Sequence, residues 1–195
     1  KRSSTQQDKF GKKAMGRTVE FLEKDFVPVI TPTLKKLAGV EVDVRVENQY
    51  VLVEYPKAFS LAVIQPQIRL EISPLAVSVP NEQREIRSFA AERFPALFTQ
   101  PSTTVTTILA ERTFWEKATI LHQEAHRGND KQLPPRYSRH YYDLYRLSYL
   151  PIRTKVLANL LLLNEVVQFK MKFYRCPCAK YEEAKSGSLK LLPPV

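Results

Sequence analysis

The sequence predicts an α+β protein in which strands precede a helical C-terminal half. Two observations carry this. Val40, Val42, Val44 and Val46 alternate strictly with Glu41, Asp43, Arg45 and Glu47, the period of a strand with one buried face. Beyond 110 the period changes: Phe114, Ala118, Leu121 and Ala125 recur at three and four residues, the stripe of an amphipathic helix. With 195 residues, 44% of them hydrophobic, the chain can bury a core and is too apolar for a disordered one.

The elements follow in order. Met15, Val19, Leu22 and Phe26 predict a helix over 9–26, ended by Pro28. Thr31-Pro32 has the form of an N-cap with proline at the first helical position, and Gly39 closes that short helix. The valine-rich strand over 40–47 turns at Asn48-Gln49 into a second strand, 50–55. Ile68, Leu70 and Ile72 on one face and Arg69, Glu71 and Ser73 on the other make a third, with 75–79 as its extension past Pro74. Residues 80–101 fit a short helix or a loop, and both readings stand. The β-branched run 103–109 predicts a last strand. Three helices then follow: the 114–125 stripe, one opening at Ser138 as N-cap, and a long one marked by Val156, Leu160, Leu163, Val167 and Tyr174. The loop 128–136 separates the first two, and 186–195 reads as an irregular tail.

Lys and Arg number 30 against 20 Asp and Glu, a net charge of +10 that favours phosphate-bearing partners. The excess sits at both ends of the chain, around an acidic middle. No stretch approaches the ~18 apolar residues of a membrane helix, and no apolar run follows the basic start as in a signal peptide. Cys176 and Cys178 stand one residue apart, too close for an ordinary structural disulfide, so a reducing, cytoplasmic setting is expected. The five glycines form no phosphate-cradling loop, and GxGxxG, GxxxxGK[ST] and GxSxG are all absent.

Four places could carry chemistry. Glu41 and Asp43 project from one strand face, a spacing able to hold a divalent cation, although Arg45 and Glu47 continue that face as a solvated charge pattern. Glu71 lies between Leu70 and Ile72, which suits a rigidly held metal ligand or an exposed partner for Arg69. In the run 111–117, Thr113 and Glu116 fit a capping box. That would set Lys117 in the first helical turn, where an anionic ligand would relieve its conflict with the macrodipole. In the run 136–146, Tyr137, Tyr141, Tyr142 and Tyr145 alternate with Arg136, Arg139 and Arg146, as in core packing or in stacking on nucleic acid. Tyr137 and Tyr142 are spaced for a hydrophobic staple, and Asp143 for pairs with Arg139 and Arg146.

The last two runs, ERTFWEKATILHQEAH (111–126) and YSRHYYDLYRL (137–147), resemble the third and fourth motifs of the AbiEii/AbiGii-type nucleotidyltransferase toxins. The resemblance extends through QIRLEISPLA (67–76) and FKMKFYRCPCAKYEEAKSGSLKLLPP (169–194). It implies an incomplete nucleotidyltransferase-like mixed sheet with flanking helices over 1–109, followed over 110–195 by a C-terminal helical region bearing the two motifs. It also implies transfer of a nucleoside monophosphate from an NTP to an RNA hydroxyl, on tRNA, with Mg2+ as cofactor, and a cognate antitoxin as protein partner. Lys117 resembles the motif lysine that contacts the nucleotide phosphates. Asp143 resembles the last motif's acid, which either orients Lys117 or aids deprotonation of the attacking hydroxyl. Glu71 resembles a metal-binding carboxylate, and Glu111, Glu116 and Arg139 are expected to support nucleotide binding. His140 stands where relatives often carry an acid.

The family's Gly-Gly-Thr/Ser and Asp-x-Asp motifs do not occur in these residues, and the first residue is Lys1 rather than Met. The expectation is that an upstream segment is missing and that this chain alone transfers no nucleotide. The rival reading is a non-catalytic module that binds RNA or a protein through its basic surface.

Overall fold

A computed structural model describes residues 3–57, 59, 65–128, 132, 134–185 and 187–192. The α+β class holds. The chain divides into two compact units, Lys1–Ala76 and Val77–Val195.

The first unit opens with helix α1 (Ser4–Phe21), capped by a reciprocal Ser3–Gln6 capping box. A π-helical turn, Leu22–Phe26, joins it to α2 (Val27–Ala38). The expected break at Pro28 does not occur. Proline has no N–H to donate, and its ring clashes with the carbonyl four residues back. The π turn just ahead of Pro28 widens the ladder, with Val27 N bonded to Leu22 O, and so lets the chain stay helical. Pro32 likewise lies inside α2, and Thr31 is no N-cap: its hydroxyl donates to Val27 O at 2.7 Å. Gly39 does close the helix, at φ 65°, a left-handed conformation glycine takes without a Cβ penalty.

Strands β1 (Asp43–Glu47), β2 (Tyr50–Glu54) and β3 (Gln67–Glu71) form an antiparallel sheet in that order. The turn at Asn48-Gln49 puts Asn48 at φ 55° and sets the register Val44↔Val53 and Val46↔Val51. Leu22, Val42, Val51 and Val53 make the core, with Phe26, Val27, Ile30, Leu34, Val44, Val46 and Ile72 against it. The predicted inward face of β3 is only partly realised. Ile72 reaches the core, but Ile68 and Leu70, opposite Val53 and Val51, are exposed. Residues 75–79 add no strand.

In the second unit β4 (Asn81–Arg87) pairs antiparallel with β5 (Ser102–Ile108), so the expected mixed sheet takes the form of two antiparallel ones among the described strands. The stretch read as helix or loop thus contains a strand, followed by the short helix α3 (Phe89–Arg93). The strand escapes pattern analysis because NEQREIR has no buried face to alternate: six of its seven residues are exposed and Glu82 is partly so.

Helix α4 (Ala110–Ala125) touches α5 (Ser138–Ser148), α6 (Ile152–Ala158), α7 (Leu160–Phe173) and the short α8 (Tyr181–Ala184). The single long helix expected over 156–174 is broken at Asn159, whose side chain caps α7 by accepting from Leu162 N at 3.1 Å. The break rotates the buried stripe to Leu162, Leu163, Val166 and Val167, leaving Leu160 and Tyr174 exposed. These residues join Phe114, Trp115, Ala118, Val156, Ala179, Tyr181 and Ala184 in one core. Of the loop expected over 128–136, residues 129–131 and 133 lie outside the described residues, as do 186 and 193–195 of the tail. Among the described residues no helix is long and apolar enough to cross a membrane.

Candidate active site

Three helices supply the site. On α4 nine residues are buried, among them Arg112, His122 and Glu124, which marks it as the central helix of this unit. On α5, Leu144 and Leu147 pack on the core, and His140, one turn earlier on the same face, is buried at 6% exposure. On α7, Lys170 follows Leu163, Val166 and Val167 at helical spacing and is buried with them. Two titratable side chains thus occupy positions that apolar residues would otherwise fill.

Lys117 projects from α4 toward α5. Its Nζ lies 2.9 Å from Asp143 Oδ2 and 3.3 Å from His140 Nδ1. Asp143 is therefore paired with Lys117 rather than with Arg139 or Arg146 along its own helix. Both side chains of the pair remain part-exposed, at 24% and 38%. A ligand can reach them. Lys170 Nζ donates to the Glu116 carbonyl at 3.1 Å, beside Lys117 in sequence. Burial pulls the Lys170 pKa down to about 8, with Glu116 opposing and the neighbouring Lys117 adding to the effect. His140 is also shifted down, first by burial and then by Lys117 and Arg139, against the pull of Asp143. Its ring stacks edge-on to Tyr137 at 5.0 Å.

Lys117 is not at a helix N-terminus. The helix starts at Ala110, a full turn earlier than the capping-box pattern suggests, so Thr113 is interior and its hydroxyl faces Leu109 O. The lysine's suitability for an anion rests on the side chains around it, not on the macrodipole. Ser138 is the first residue of α5 rather than its cap, and Tyr142 is exposed, with Arg146 over its ring.

The other expected residues are more dispersed. Glu116 binds Arg112 Nε at 3.0 Å through its side chain while its carbonyl holds Lys170. Arg139 is exposed on α5 next to His140. Glu111, in the first turn of α4, lines an open groove of about 550 Å³ with Pro80, Leu109, Lys155, Asn159 and Glu165. Glu71 belongs to the first unit, where its exposed carboxylate accepts from Gln49 Nε2 at 3.2 Å. Glu41 and Asp43 are solvated partners of Lys35 and Arg45. Among the described residues no group of three or more His, Cys, Asp or Glu gathers that could hold a metal ion. Cys176 and Cys178 form no disulfide.

Neither the burial of Lys170 nor the contact of His140 with Lys117 is legible in the residue pattern. The available signal was positional: Lys170 lies three residues after Val167 and seven after Leu163, on the buried stripe itself. A lysine there is buried with its charge or snorkels out, and spacing alone does not tell which.

A family model described as nucleotidyl transferase AbiEii toxin, type IV toxin–antitoxin system, matches residues 5–189. No curated protein and no solved structure matches the chain.

Proposed function

Because this chain belongs to the AbiEii family of nucleotidyl transferase toxins, of type IV toxin–antitoxin systems, we propose that Lys117 and Asp143 are its nucleotide-handling pair. The observation that carries this reading is the 2.9 Å contact between them, made across two helices by residues on opposite sides of a loop. Lys117 binds the triphosphate of an NTP as a charged hydrogen-bond donor. Asp143, already engaged with that ammonium, holds it in place, and this contact favours orientation over proton abstraction as the role of the acid. Arg139, Glu111 and Glu116 support nucleotide binding from α4 and α5.

The reaction is attack of an RNA hydroxyl, with tRNA as the acceptor class, on the α-phosphorus. A bond forms from that oxygen to phosphorus, the bond to the β-phosphate bridge breaks, pyrophosphate leaves, and the hydroxyl proton passes to solvent or base. Magnesium, when present with the nucleotide, would neutralise developing charge. Glu71 is one carboxylate of the family pattern and would need further donors to hold it, so no step is assigned to the metal. The Gly-Gly-Thr/Ser and Asp-x-Asp motifs do not occur in these residues. The chain assayed alone is accordingly expected to bind nucleotide and to transfer none. A cognate antitoxin is the protein partner.

The test is titration of labelled ribonucleoside triphosphates against three variants. Lys117→Ala should weaken binding by about tenfold, the loss of one hydrogen bond to a charged group. Lys190→Ala, at an exposed tail position, should leave it unchanged. Asp143→Asn should retain or improve affinity, because it removes a negative charge beside the phosphates. Equal losses at Lys117 and Lys190 would mean diffuse surface charge and would overturn the reading.

A further inference from the structure

We infer that His140 is a positioning residue for Lys117, one that must be neutral for the lysine to be held toward a phosphate. Lysine has only donors to offer, so at the 3.3 Å contact the histidine Nδ1 must be the acceptor, and the ring proton must sit on Nε2. Asp143 Oδ2 takes a second N–H at 2.9 Å. Two of the three ammonium protons are then held by α5, and the third is left for a phosphate oxygen. A carboxylate alone fixes a distance. A carboxylate and an imidazole one helical turn apart fix a direction as well.

The surroundings keep the ring neutral. Lys117 faces it from α4, Lys170 from α7 and Arg139 from its own helix, all positive, with Asp143 opposing them among the described residues. The ring is buried, and it sits in the first turn of α5, where a positive charge meets the positive end of the helix dipole. Protonation removes the acceptor and places an imidazolium against an ammonium. Lys117 then loses its second anchor, and the ligand loses a preorganised partner. The positive groups around the ring therefore favour its neutral form near neutral pH.

The role in ligand binding rests on the nucleotide reading above, but the contact is testable without it. Proton NMR of the histidine ring should show the His140 titration midpoint moving up in Lys117→Met, since a like charge and a donor to the neutral ring are both removed. An unchanged midpoint would overturn the inference whatever the chain binds, and the measurement needs no substitution at His140. For the functional half, ATP affinity is compared at about pH 7.5 and about pH 5. The wild-type chain should weaken by about tenfold on acidification, the scale of one hydrogen bond to a charged group. His140→Asn, which keeps an acceptor oxygen and cannot take the proton, should weaken markedly less. Protonation of ATP itself is common to both proteins and cancels in that comparison. Equal acid sensitivity in both would overturn the positioning role while leaving the Lys117 site standing. Lys117→Ala binding ATP as tightly as wild type at pH 7.5 would instead overturn the nucleotide reading.

Discussion

Lys170 shows how one residue can cost stability to shape a site. Its ammonium is buried and donates to the Glu116 carbonyl, and among the described residues it forms no ion pair. The folded-state pKa is near 8 instead of 10.5, so between those values the folded protein binds fewer protons than the unfolded chain. Stability should therefore rise as pH climbs from about 8 to about 10.5, and the full penalty should apply below 8. At 1.36 kcal/mol per pKa unit that penalty is roughly 3 kcal/mol, against about 1.5 kcal/mol for a hydrogen bond from a charged donor. Lys170→Met should accordingly be the more stable protein near pH 7, by on the order of 2 kcal/mol, with the gap closing toward pH 10.5. Denaturant melts of both proteins across that range measure it. A variant less stable at every pH would show the ammonium to be well solvated. His122, clamped between Lys180 O at 3.2 Å and Lys190 N at 2.9 Å, is buried and neutral on the same face of the balance. Burial lowers its pKa, so it adds a loss of stability as pH falls below about 6.5.

Among the elements, the breaks matter as much as the stripes. Had 156–174 been one helix on the predicted stripe, Leu160 would have pointed inward with Leu163 and Val167, whereas the observed helix exposes Leu160 and buries Leu162 and Val166. Asn159 resets the phase. Its Oδ1 satisfies one of the orphan N–H groups that a new helix exposes, and that is what allows α7 to start where it does. Asn159→Ala should cost about 1 kcal/mol and lower the thermal midpoint by ~2–4 °C, while Asn159→Asp should cost little. A thermal scan of both variants checks the cap, and equal losses would place the break elsewhere. The π turn ahead of Pro28 acts in the opposite sense, keeping helical two stretches that proline rules would separate.

At the scale of the whole molecule the relevant quantity is the charge of +10. RNA bound through Lys and Arg displaces condensed counterions, so affinity falls steeply with salt. The chain should bind tRNA in 50 mM salt and lose at least about tenfold of that affinity by 200 mM, by the counterion slope for a few phosphate contacts. In the same mixtures, with labelled NTP and magnesium, no label should pass to the RNA. Filter binding and gel labelling read both outcomes, and magnesium-dependent labelling would contradict the inactivity expected of these residues alone.

The valine alternation at 40–47 and the spacing past Phe114 were readable because burial on one face leaves a period in the chain, and a period is a local property. So was the pairing of Lys117 with Asp143, through motif likeness rather than spacing. The strand at 81–87 was not readable, since a strand exposed on both faces leaves no period. Nor was the start of α4, where Leu109 caps with no side-chain signature, nor the neutrality of His140 and the burial of Lys170. Those last depend on which charges three helices bring within a few ångströms of one another. Coulomb and desolvation energies are set by distance in space, and along the sequence the groups concerned lie 23 to 54 residues apart.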